Sequence, residues 1–178
     1  PLHVELLYKS SFIMLISYFD FLISDLIHFF HQSYPEALSD KELSIKKELS
    51  IKLDELKLCD NLSDAIDYIV NKEVDKVLHD NLKSQKKYFK KYLKIDTKEN
   101  IISWDKINEA MERRHIIVHN NSKINKRYLK NVDLSIIPEK RKDLKESKKL
   151  TINKNYFTTI YNELFVVGII LVQCCWRK

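Results

Sequence analysis

Ser103–Asn120, SWDKINEAMERRHIIVHN, is the stretch whose reading decides the fold. Ser103 is an N-cap residue type, and neither Gly nor Pro interrupts the run from Trp104 to His119, so the segment predicts a helix. At about 100° per residue, Trp104, Ile107, Ala110, Met111, Ile117 and Val118 fall in one arc, with Arg114 near its middle. Asn120 and Asn121 follow, side chains that tolerate the left-handed conformation in which helices commonly stop. A guanidinium does not neutralise itself by losing a proton, so an inward Arg114 requires a carboxylate, a cluster of carbonyls or an anionic ligand. Asp20 and Asp25, on an earlier helical segment, are the carboxylates the sequence offers it. Along the edge of the arc, Glu112, His115 and His119 recur at three and four residues and stack on successive turns. His119 occupies the last turn, where the macrodipole favours a cation.

Working outward, the rest of the chain agrees with an all-helical reading. Its 178 residues hold one Gly and three Pro, too few for a sandwich or barrel with many tight turns, and they leave no Gly-rich phosphate loop. From about Glu5 to Tyr34, Phe12, Leu15, Ile16, Phe19, Leu22, Ile23, Leu26, Ile27 and Phe30 keep helical spacing, and Pro35 ends the run. Residues 39–58 carry Lys and Glu pairs around scattered Leu and Ile, the pattern of a surface helix or a broken pair. Ser63 and Asp64 cap a helix bearing Ile66, Ile69, Val70, Val74, Val77 and Leu78, running toward Tyr92 and Ile95. A short turn through Tyr128 and an exposed, Lys-rich connection over Asp133–Thr151 precede a last helix, Asn155 to Trp176. That helix is apolar on every side and calls for cover by the core or by a second subunit. The expected fold is all-α, an antiparallel bundle of four to five helices in a single domain over 1–178, with abrupt ends that point to a piece of a longer protein.

Cys59, Cys174 and Cys175 are odd in number and two are vicinal, so they draw neither a disulfide framework nor a Cys-x-x-Cys zinc site, and a reducing cytoplasm is expected. The longest apolar run, Leu164–Val172, falls short of the roughly 20 residues that span a bilayer, so no transmembrane helix and no membrane partner are expected. The net charge of +6 admits a polyanionic partner. Between Lys123 and Lys154 eleven basic residues face four acidic ones. A second cluster, Lys83, Lys86, Lys87, Lys90, Lys91 and Lys94, has Tyr88, Phe89 and Tyr92 among its lysines. Two readings of it stand open: phosphate and base contacts of a single-strand binder, or core aromatics with lysines on the wet face.

Glu112-Arg113-Arg114-His115-Ile116-Ile117-Val118-His119-Asn120 resembles the signature of the HEPN superfamily, all-helical domains whose motif is Arg, four to six residues, then His, often with Asn, Asp or His directly after the Arg. The context Asn125-Lys126-Arg127-Tyr128-Leu129, a polar connection and a closing apolar helix is similar to HEPN proteins of prokaryotic defence and toxin–antitoxin systems. Members modified by a partner nucleotidyltransferase carry a Tyr two residues beyond the His, where this chain has Asn121. The resemblance implies a metal-independent endoribonuclease without cofactor, working as a homodimer through the HEPN helices, with the Arg and His of both subunits in one cleft. It implies Arg114, His119 and His115 as catalytic residues, with Glu112 and Asn120 supporting them. Lys87, Lys91, Lys123, Lys126 and Arg127 would bind RNA, and a regulatory domain or antitoxin would control the activity. A ribose 2′-hydroxyl would attack phosphorus to leave a 2′,3′-cyclic phosphate, Arg114 holding the non-bridging oxygens while the histidines move protons.

Two other readings are carried beside it: a noncatalytic HEPN-like dimerisation and RNA-binding module, and a structural bundle within a larger assembly. Convergence of Arg114 and His119 on an accessible cleft favours the enzyme, whereas Arg114 buried against Asp20 or Asp25 suits the binding module. His3, His28, His31 and His79 belong to no constellation and are read as structural.

Overall fold

The computed structural model describes residues 2–34, 52–79, 82–92, 102–139 and 144–176. Among them the chain is helical, in seven helices: α1 Leu2–Ser33, α2 Leu53–Leu56, α3 Leu62–His79, α4 Leu82–Tyr92, α5 Trp104–His119, α6 Lys126–Asn131 and α7 Lys154–Trp176. The all-α reading holds, and α1, α5 and α7 lie within a few residues of their expected bounds. The helix expected to run on from Ser63 to Tyr92 is instead two, α3 and α4. Most of the 39–58 segment and the basic residues Lys140, Arg141 and Lys142 lie outside the described residues.

The fold divides into two compact units, residues 1–19 with 97–170 and residues 20–96 with 171–178, so that α1 and α7 contribute to both. On α1 the buried apolar residues are Phe12, Ile16, Phe19, Ile23, Ile27 and Phe30, in steps of three and four that keep one stripe turned inward. Tyr156, Ile160, Leu164, Val167, Leu171 and Cys175 do the same on α7. The opposite face of α7 leaves Tyr161, Phe165, Val166, Ile169 and Val172 exposed, so this chain covers one side of a helix that is apolar all round.

Length changes the membrane arithmetic. The nine-residue apolar run understated both end helices, because scattered polar residues do not stop a span. By length and composition α1 and α7 could each cross a membrane, with a mean hydropathy of 1.6 in their most apolar windows, of which 28 % is buried. Core helices of soluble proteins pass the same test.

In unit 1, Ile116, Ile124, Tyr128, Val132, Ile137, Leu144 and Leu150 form a core beneath the end of α5. The 133–151 connection is thus more than an exposed loop: Ile137, Leu144 and Leu150 anchor it, and truncating such a side chain to Ala typically costs about 2–5 kcal/mol. In unit 2, α3 and α4 pack through Val70, Val74, Val77, Leu82, Tyr88, Phe89 and Tyr92. All three aromatics of the α4 lysine cluster are therefore core residues, and α4 presents lysines without a stacking platform. His31 is buried and within 2.7 Å of the Tyr88 hydroxyl, and His28 bonds Asn71 and the Ser24 carbonyl, as structural histidines do.

Candidate functional site

The inward arginine of α5 is Arg113, not Arg114. Its guanidinium is fully buried at 0 % exposure, whereas Arg114 is half-buried, Ile117 is half-buried and Val118 is 45 % exposed. Trp104, Ile107, Glu109, Ala110, Glu112, Arg113 and Ile116 form the buried face. The arc drawn through the apolar residues is displaced because Ile117 and Val118 lie toward solvent, while Glu109 and Arg113, two charges four residues apart, neutralise each other inside. Arg113 Nε donates to Glu109 at 2.6 Å, and its terminal nitrogens donate to both oxygens of Glu139 at 2.9 and 3.0 Å. The Thr151 carbonyl accepts a further bond at 3.1 Å, and the guanidinium carbon lies 4.1 Å from the Tyr156 ring centroid. Tyr128 donates its hydroxyl to Glu109, as does Tyr156 at 2.5 Å. Burial alone would disfavour the charged arginine, but Glu109, Tyr156 and Glu139 hold it ionised well above the ordinary range. Burial and the Glu109 carboxylate push the Tyr128 and Tyr156 phenols up, which keeps them as donors. The Glu–Arg pair at i, i+4 was the sequence signal for this cluster.

With Arg113 occupied, the outer edge of α5 carries Arg114, His115 and His119. The two imidazoles touch, ring centroids 4.8 Å apart and planes tilted by 47°. The Nε of Arg114 is buried and finds no hydrogen-bond acceptor among the described residues.

Glu112 is a buried cross-link rather than a surface charge, and it also faces His115. It is buried, and its carboxylate accepts from Arg127 Nε at 3.1 Å and from Asn131 Nδ2 at 2.9 Å, tying α5 to α6. Asn125 caps α6, its side chain accepting from the Tyr128 amide at 2.9 Å. Arg127 is thereby held near His115. Partial burial, then Arg127, His119 and Arg114 lower the His115 pKa, against the pull of Glu112. Asn120 turns its amide to the Lys123 carbonyl at 2.6 Å and so shapes the turn after α5 instead of reaching the histidines. Ser103 stands at the N-cap without a side-chain bond, its carbonyl taking the Lys106 and Ile107 amides.

Lys123 and Lys126 are exposed close after His119, so the fold brings them and Arg127 to the same end of α5. Lys87 and Lys91 are on α4, in unit 2. Among the described residues no group of His, Cys, Asp and Glu is placed to hold a metal ion. The chain matches no family model, no curated protein and no solved structure.

Proposed function

We propose that the chain is a metal-independent endoribonuclease of HEPN type, a cytoplasmic effector of phage defence or of a toxin–antitoxin system. The observation that carries the reading is the pair of imidazoles in contact near the end of α5, His115 and His119, with the charge of Arg114 acting on His115. An RNA phosphate would be met by the terminal N–H groups of Arg114, and the guanidinium would neutralise charge as it builds on the phosphorane. One histidine would take the 2′-hydroxyl proton as its oxygen attacks phosphorus. The bond to the 5′-oxygen then breaks, and an acid returns a proton to the leaving alkoxide.

In-line displacement puts the attacking and leaving oxygens on opposite sides of phosphorus. Two rings in contact leave no room for a phosphate between them, so His115 and His119 of one chain serve one side together. The group for the other side would come from a second copy, which is the composite site the resemblance implies. Partial burial and the neighbouring cations keep His115 neutral, the form a general base needs.

Labelled single-stranded RNA incubated with the protein in EDTA tests the reading. Wild type is expected to give 2′,3′-cyclic phosphate ends, and Arg114→Ala and His119→Ala, folded by circular dichroism, are expected to lose cleavage by at least a hundredfold. RNA binding without cleavage by wild type would favour the noncatalytic module.

A further inference from the structure

Beyond His119 the chain builds a small ribbon. Asn121 and Ser122 take positive φ, 49° and 62°, turning the chain back so that the Ser122 amide bonds the Ile116 carbonyl. Lys123 then pairs with Lys149 in an isolated antiparallel bridge. Its hydrogen bonds run from the Ile124 amide to the Lys148 carbonyl at 2.8 Å and from the Leu150 amide to the Ser122 carbonyl at 2.9 Å. They flank the two lysines rather than join them, which makes Lys123 and Lys149 a non-hydrogen-bonded pair, the closer kind, with Cα atoms about 4.5 Å apart. Ile124 and Leu150 on either side point into the core beneath α5, so alternation sends both lysines outward on one face.

Like charges directly opposite each other destabilise a strand pair, and the core fixes this register so that the lysines cannot slip past one another. Neither ammonium is in an ion pair among the described residues; Glu5, which feels Lys149, bonds Lys9 at 2.9 Å. Lys126, Lys145 and Lys148 are exposed close by in the chain. A pair of lysines held side by side at the backbone, with no ion pair of their own among the described residues, is matched by a phosphodiester, and the ribbon begins a few residues after His119.

We propose that the Lys123–Lys149 bridge is a phosphate-binding subsite, where an RNA strand seated at the Arg114–His119 site is held by a backbone phosphate outside the scissile linkage. This rests on the ribonuclease reading for its substrate, and it makes recognition there a matter of backbone charge and strand length rather than base identity.

The test is binding of a fluorescent 2′-O-methyl oligonucleotide, which has no attacking hydroxyl, to the full chain over a series of KCl concentrations in EDTA. The double variant Lys123→Gln, Lys149→Gln is expected to bind roughly tenfold more weakly at low salt, with the slope of log K against log salt reduced by about 1.4. It should melt no lower than wild type, since it removes a repulsion. Lys123→Arg, Lys149→Arg should restore binding, and Lys52→Gln, Lys57→Gln, equal in charge but in unit 2, should leave the slope unchanged. On cleavable RNA, KM should rise with kcat unchanged, while a dinucleotide, which has no second phosphodiester, should be cut equally by both proteins.

An unchanged slope in the bridge variant, or the same loss in the unit 2 control, would overturn the subsite. A lysine-dependent slope in a wild type that cuts nothing would leave the subsite standing and remove the ribonuclease reading. Cleavage with an unaltered KM would do the reverse.

Discussion

Arg113 presents its two terminal nitrogens to the two carboxylate oxygens of Glu139, at 2.9 and 3.0 Å, and so fastens the middle of α5 to the segment that follows α6. Its neighbour Arg114, one helical step away, is in no such cluster. The two arginines are therefore expected to divide structure from chemistry. Arg113→Met leaves Glu109 buried with two phenols and no cation, and is expected to destabilise the fold by about 3–5 kcal/mol. Arg114→Ala breaks no buried cluster of this kind and should shift stability by less than about 1 kcal/mol while abolishing cleavage. Urea unfolding of both variants checks this; a loss at Arg114 as large as at Arg113 would make Arg114 a structural residue.

How legible each part was follows from what each kind of residue does. The stripes of α1 and α7 could be read because aliphatic and aromatic residues at steps of three and four have one means of leaving water, and Phe12, Ile16, Phe19, Ile23, Ile27 and Phe30 all took it. The buried face of α5 was misplaced by about one residue because Glu109, Glu112 and Arg113 are inside, where ion pairs and phenol hydroxyls from distant segments meet them. No local pattern reveals Glu139 or Tyr156 as partners, although a Glu–Arg pair at i, i+4 flanked by apolar residues was a signal that could have been weighed. The adjacency of His115 and His119 was legible from spacing alone. The pairing of Lys123 with Lys149 was not, because it joins strands 26 residues apart through a core that only the folded chain assembles.

In unit 2 the buried His31 makes stability depend on acid. Burial, then repulsion from His28, lowers its pKa from 6.5 to about 4, so the folded state resists a proton that the unfolded chain accepts. Its contribution is whole above pH 6.5 and is lost as pH falls toward 4, a change on the order of 3 kcal/mol. Urea midpoints measured between those limits should fall with pH in wild type and fall less in His31→Gln. Parallel curves would show that other groups carry the acid sensitivity.

Glu112 and Arg127 act on His115 with opposite sign. Arg127 lowers its pKa and Glu112 raises it, and the two side chains are bonded to each other 3.1 Å apart. Arg127→Gln should move the His115 titration up, and Glu112→Gln should move it down. The Cε1–H resonance of His115 reports this directly. With His115 as the base, the acidic limb of the cleavage profile should follow the resonance in both variants. A limb that stays in place while the resonance moves would assign the base to another group.

The outer face of α7 offers the sharpest choice between a second copy and other cover. Tyr161 and Phe165 stack with ring centroids 6.0 Å apart and planes within 14°, and Phe165, Val166 and Ile169 continue the exposed apolar strip. A strip of this kind on a chain whose proposed site needs a group from a second subunit is expected to be a two-fold interface. Phe165→Glu with Ile169→Glu should then give a monomer in analytical ultracentrifugation, with helical content retained by circular dichroism and cleavage lost. Cleavage by that monomer would remove the composite site. Flotation of the wild type with neutral phosphatidylcholine vesicles, abolished by the same two substitutions, would instead place the strip in lipid, as the length and hydropathy of α7 permit.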